Sequence, residues 1–125
     1  MLADKSTLVP LDVRGFDRVL RRFSERIPAG FPSAAEGYED EPLNLHTFVV
    51  RHPAATFFYR FDDDNLLDEH IVRGSVLVID KSLRATPGRL VMVEQGGAFV
   101  IMRMPRDSAT RLHVFGVVAA VVTRL

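Results

Sequence analysis

From Ala54 to Val122 short apolar runs alternate with turn residues, the pattern of a β-rich chain. Ala54–Phe61 reads as a strand that drops into an acidic turn, Asp62–Asp64. Val76–Asp80 (VLVID) is continuously apolar up to its final Asp, as in a strand covered on both sides. Leu90–Glu94 follows a Pro87-Gly88 turn, and Gly96-Gly97 is a hairpin signal leading into Ala98–Met104. In that strand Ala98, Val100, Met102 and Met104 share one face, and Phe99, Ile101 and Arg103 share the other. Arg111–Val122 is the last strand.

The pattern before residue 43 differs. Phe16, Val19, Leu20, Phe23 and Ile27 recur at three- and four-residue steps, which predicts an amphipathic helix over 13–27. Asp12 supplies an N-cap and Pro28 halts the helix. Arg14, Arg18, Arg21 and Arg22 lie largely on the polar face, where Asp17 and Glu25 break the positive stripe into an ordinary solvated surface. Residues 1–12, with Pro10, are expected to be loose. Ala29–Pro42, rich in Gly, Pro, Ala and acid, reads as a flexible linker. Leu43–Val50 is open between strand and short helix. The expected organisation is an N-terminal arm and linker over 1–42 and a β-rich domain over 43–125.

Composition narrows the function classes. The 125 residues, 47% hydrophobic, suffice for one compact domain. A formal net charge of zero supplies no general pull toward nucleic acid, so direct DNA binding is not expected. With no cysteine there is no disulfide, thiolate metal site or Cys nucleophile. No apolar leader is read at the N-terminus, and the longest apolar run, Val114–Val122, is far short of the ~20 residues of a membrane span. A cytoplasmic location is expected. Asp62, Asp63 and Asp64 with Asp68, Glu69 and His70 lack the ligand alternation and central Gly of a calcium loop, and no phosphate or dinucleotide fingerprint occurs. No metal or other cofactor is expected.

Four stretches together resemble UmuD and its relatives in the LexA/UmuD (S24) family of self-cleaving serine peptidases. They are AGFPS at Ala29–Ser33, HPAATFFYRF at His52–Phe61, the run from the acidic loop to Asp80, and FGVV at Phe115–Val118. The resemblance implies a mostly β, LexA/UmuD-like peptidase fold of twisted antiparallel sheets with a short N-terminal helical arm. It also tips Leu43–Val50 toward a short helix. The family cuts itself between a small residue and Gly, the positions of Ala29 and Gly30, with a serine nucleophile and a neutral lysine as base. The serine position is Asn65, whose amide nitrogen is a poor nucleophile. The lysine position is Met102, which carries no base.

Other departures are Asp62 and Asp63 for the small residues before the nucleophile, Glu69-His70 for the following Gly pair, and a short PRDSATR connection after Met104. The resemblance thus implies a catalytically inactive UmuD-like protein, a dimeric regulatory partner in the SOS response to DNA damage and in translesion synthesis. Its expected partners are a second copy, an active UmuD-type relative, a Y-family translesion polymerase and the RecA filament. The apolar residues Val114, Phe115, Val117 and Val118 are the expected dimerisation surface, with Val121 and Val122 adding to an excess over what one sheet face buries. Two alternatives stand beside this reading. One is a peptidase with a relocated nucleophile, drawing on Lys5 or Lys81, on Ser82, or on a Ser–His–Asp set from His52, His70 or His113. The other is the dimerisation module of a LexA-like regulator.

Overall fold

The structure is a computed structural model that describes residues 7–18, 45–107 and 111–125. Its organising strand is β3 (Val76–Asp80), all five residues of which are buried. Around it lie β1 (Leu8–Leu11), β2 (Thr56–Phe61), β4 (Leu90–Gln95), β5 (Ala98–Arg103) and β6 (His113–Val122). They form one six-stranded sheet in the order β1-β2-β3-β6-β4-β5, with every described pairing antiparallel. The mostly β expectation holds, and the strands lie close to where the apolar runs placed them.

Both faces of β3 are covered. On one, Leu77 and Ile79 join Leu8, Phe61, Ile71, Met92 and Ile101 in a single cluster that reaches from β1 to β5. The sheet must curl to bring its two edges into one cluster. On the other face, Val76 and Val78 pack with Phe58, Val50 and Phe16 beneath the helical residues 13–18 and the short helix Leu45–Val49. A third cluster of Val91, Val93 and Val117 lies under Leu83, Ala85 and Leu112.

Local chemistry accounts for several boundaries. Asp12 caps the helical residues 13–18, its Oδ1 accepting the Gly15 amide at 2.7 Å. Residues 19–44 lie outside the described region, and with them the rest of the expected helix, the linker and the Ala29–Gly30 junction. Leu45–Val49 is helical, and Pro53–Ala55 forms a 3-10 turn before β2 begins at Thr56. The β4–β5 hairpin turns at Gly96 (φ 56°) and Gly97 (φ 82°), the left-handed pair that a two-residue hairpin loop requires. In β6 the register shifts opposite Val78/Ile79 and again opposite Met92/Val93, so this long strand is bulged on both sides. Between the bulges, a Cβ on Gly116 would lie 2.6 Å from Ile79 Cγ2, which is why that residue has no side chain.

One expectation is corrected here. Residues 1–12 were expected to be loose, yet Leu8–Leu11 pairs with Phe58–Phe61 as an edge strand. Pro10 is compatible with an edge, where one side of the backbone needs no donor. Of the residues expected to form a dimerisation surface, Val117 is fully buried within the chain, while Val114, Phe115 and Val118 are half-buried on β6, between β3 and β4.

Candidate functional site

The loop from Asp62 to Gly74 that carries Asn65 is held from below, from the side and from within. Below, the β2–β3 ladder continues into it, Phe61 N–H donating to Ser75 O at 2.8 Å and Gly74 N–H to Phe61 O at 2.7 Å. At the side, the Arg73 guanidinium donates to Asp62 O and Asp62 Oδ1, both at 3.0 Å, and to Asp64 Oδ2 at 3.1 Å. Those carboxylates, Asp64 foremost, raise the Arg73 pKa above its ordinary value. Asp63 Oδ1 accepts the Asp64 amide at 2.6 Å. The acidic triplet is thus served by Arg73, by its own backbone and by the Thr7 hydroxyl, which donates to Asp63 Oδ2 at 3.5 Å. Among the described residues no group of three or more His, Asp or Glu is placed to hold a metal ion.

Within the loop, Leu66 packs on the core cluster and Ile71 is buried in it. Leu66 O accepts the amides of Glu69 and Ile71 at 3.0 and 3.1 Å, closing a 3-10 turn at Leu67–Glu69. His70 ends that turn in the left-handed region, φ 63°. A non-glycine residue there costs about 1–2 kcal/mol, offset in part by the extra freedom glycine has when unfolded. His70→Gly is therefore expected to stabilise the fold by about 0.5–1 kcal/mol. A urea midpoint that stays put or falls would contradict this.

Asn65 stands exposed just ahead of the Leu66 anchor. Its side chain makes no hydrogen bond among the described residues. Glu69 fastens the loop to β5, accepting from Arg103 Nε at 3.1 Å and from an Arg103 terminal nitrogen at 2.7 Å. The hydrogen bond from Arg103 holds the Glu69 carboxyl below the ordinary range, and the same pairing raises Arg103. Arg103 also donates to Gly88 O at 2.8 Å, joining the loop to the turn before β4. The loop therefore anchors on the face of β5 that carries Ile101 and Arg103. Met102 faces the other way, half-buried with Val91, Val93, Val117, Met104, Leu112 and Val114.

A second constellation was not anticipated. Asp80, 2% exposed, accepts from three donors at the end of β3. His52 Nδ1 lies 2.6 Å from Oδ2, while the Ser82 amide and hydroxyl donate to Oδ1 at 2.8 and 2.5 Å. Burial raises the Asp80 pKa, but the Ser82 hydroxyl, His52 and the Ser82 amide together hold it below the usual carboxylate value. Both partners address the carboxylate and not each other, so the Ser82 proton is held by Asp80 and these three residues do not form a Ser–His–Asp relay. Lys81 does not serve Ser82 either. Its ammonium lies 4.7 Å from the centroid of the Phe115 ring. The other two histidines named as alternatives stand elsewhere, His70 in the loop turn and His113 opposite Glu94 in the β4–β6 pairing. A strand-closing Asp followed by Lys-Ser marks one end of this staple. Nothing local marks His52, 28 residues away.

The comparisons with known proteins agree with the fold. A Peptidase S24-like family model matches residues 22–114. Protein MucA of Salmonella typhimurium is 45% identical over 82 residues, 66% of this chain and 56% of MucA. The chain thus spans little more than half of that relative's length. Protein SamA of Salmonella typhimurium is 35% identical over 115 residues, 80% of this chain and 82% of SamA. Protein ImpA of Shigella flexneri is 34% identical over 96 residues, 76% of this chain and 66% of ImpA. No helix among the described residues is long and apolar enough to cross a membrane. A curled antiparallel sheet carrying an anchored polar loop between β2 and β3, matched over most of its length by the family model and by these UmuD-like relatives, places the chain in the Peptidase S24-like family.

Proposed function

We propose that this chain is a UmuD-like protein that no longer cleaves itself and works by binding, as a dimeric regulatory partner in DNA-damage-induced mutagenesis. The observation that carries the reading is Asn65, an exposed amide at the nucleophile position of an otherwise well-anchored loop. Met102, the position where the resemblance expects the base, holds a thioether and lies on the β5 face turned away from that loop. By resemblance, the partners are a second copy, an active relative, a Y-family translesion polymerase and the RecA filament. In this reading Ala29–Gly30 remains a junction that the serine–lysine dyad of an active relative cuts in trans.

A positioned base contributes about 10²–10⁴ in rate, and members of a cooperating dyad are not additive, so loss of both removes most of the activity. Incubation at about pH 10, where a lysine base is substantially neutral, is expected to leave the chain intact by mass spectrometry. A fragment beginning at Gly30, formed by the purified protein alone, would overturn the reading.

A further inference from the structure

We propose that a cavity where β3 begins and β6 ends binds a small organic carboxylate. The cavity, about 260 Å³, is lined by Val72, Arg73, Gly74, Ser75, Arg124 and Leu125. Strand register brings these residues together. Val76 lies opposite Val122 in the β3–β6 ladder, and the Ser75 and Thr123 hydroxyls, 2.9 Å apart, carry the same register one step further. The next step sets Arg124 opposite Gly74, on the face that carries Val76 and Val122. Gly74 has φ 91°, and a Cβ there would meet nothing within 4 Å, so bare backbone floors the cavity.

Two guanidinium groups line the cavity and a third flanks it. Arg124 is exposed and has no acidic partner among the described residues. Arg60, also exposed and without an acidic partner there, pairs with Val76 in the β2–β3 ladder and so shares the face of Gly74 and Arg124. Diagonal neighbours on a sheet stand about 7–8 Å apart, within reach of a side chain as long as arginine. Arg73 has five N–H donors and spends three, on Asp62 O, Asp62 Oδ1 and Asp64 Oδ2, which leaves two for a ligand without loosening the loop. Against the three arginines stand the carboxylates of Asp62 and Asp64, so one positive charge is left over.

These features select the ligand. A single excess positive charge suits a carboxylate, which carries one negative charge, better than a phosphate dianion. The planar fork of a guanidinium matches the two oxygens of a carboxylate. Val72, 37% exposed, and Leu125 add apolar surface on which a short aliphatic body can rest. At about 260 Å³ the cavity falls below the ~300–1,000 Å³ of drug-sized sites, so its occupant is small. Arg73 belongs both to the cavity and to the loop that carries Asn65, so an occupant is joined to that loop through one side chain. The site goes beyond the reading above and does not depend on whether the chain cleaves itself.

Titrating the full chain with isobutyrate should shift the amide NMR signals of Gly74, Ser75 and Arg124 together. A dissociation constant in the millimolar range is expected for a ligand of about six non-hydrogen atoms. Isobutyramide, uncharged and of the same shape, should move none of these signals at the same concentrations. Arg124→Ala should weaken isobutyrate binding about tenfold or more while keeping the circular dichroism spectrum. Arg51→Ala, which removes an exposed arginine beside His52 at the far end of β3, should leave binding unchanged. Inorganic phosphate that binds the same residues as tightly would overturn the carboxylate assignment. The site itself would be overturned by no shift with isobutyrate, by shifts that persist in Arg124→Ala, or by shifts that isobutyramide reproduces.

Discussion

Replacing Asp80 with alanine is expected to destabilise the fold by about 3–5 kcal/mol, the range for removing one partner of a buried polar network and leaving the others unpaired. Asp80 is 2% exposed and is the shared acceptor for His52, the Ser82 amide and the Ser82 hydroxyl. The loss would reach beyond one strand. Asp80 pairs with Thr56 across β2–β3, Thr56 Oγ donates to His52 O at 2.6 Å, and the Lys81 amide donates to Ala55 O at 2.9 Å. The carboxylate thus locks the 3-10 turn that opens β2 to the residues that close β3. Acid should mimic the substitution. The folded pKa lies below the unfolded value of about 3.9, so the contribution is complete above that pH and is lost as pH falls through the lowered native value. Unfolding free energies measured from pH 6 down to 2 should fall more steeply for the unsubstituted protein than for Asp80→Ala. Parallel curves would show that the carboxylate is not the linked group.

Phe16→Ala is the second large effect, about 3–5 kcal/mol for a fully buried aromatic. Phe16 stacks on Phe58 with ring centroids 4.2 Å apart and planes 11° from parallel, and His46 covers it at 5.6 Å. The ring pins the residues after β1 to the far face of the sheet. The neighbouring Asp17–His46 contact at 3.0 Å is partly exposed and adds little. Truncation should therefore lower the denaturation midpoint and hasten proteolysis near the N-terminus, while a conservative Phe16→Leu should recover much of the loss. Early cleavage that is unchanged in Phe16→Ala would mean that β1 alone, through its pairing with β2, holds this segment in place.

Much of this architecture was legible because its causes are local. Alternation and continuous apolar runs marked β2 through β6, and consecutive glycines marked the hairpin between β4 and β5. Asp12 announced a helix start. The loop bearing Asn65 lies between two such runs, but it was singled out by the family resemblance and not by local pattern. Propensity, turn chemistry and caps act over a few residues, so a sequence displays them directly.

What needed the tertiary structure has the opposite character, in partners far apart along the chain. Leu8–Leu11 is a strand only because β2, nearly fifty residues later, offers it an edge. His52 and Asp80 meet across 28 residues, and Glu69 and Arg103 across 34. β6 is an interior strand by topology, between β3 and β4, which its composition alone does not say. Apolar residues specify that burial occurs, not which neighbour supplies it, and the order of strands in the sheet is what made that choice.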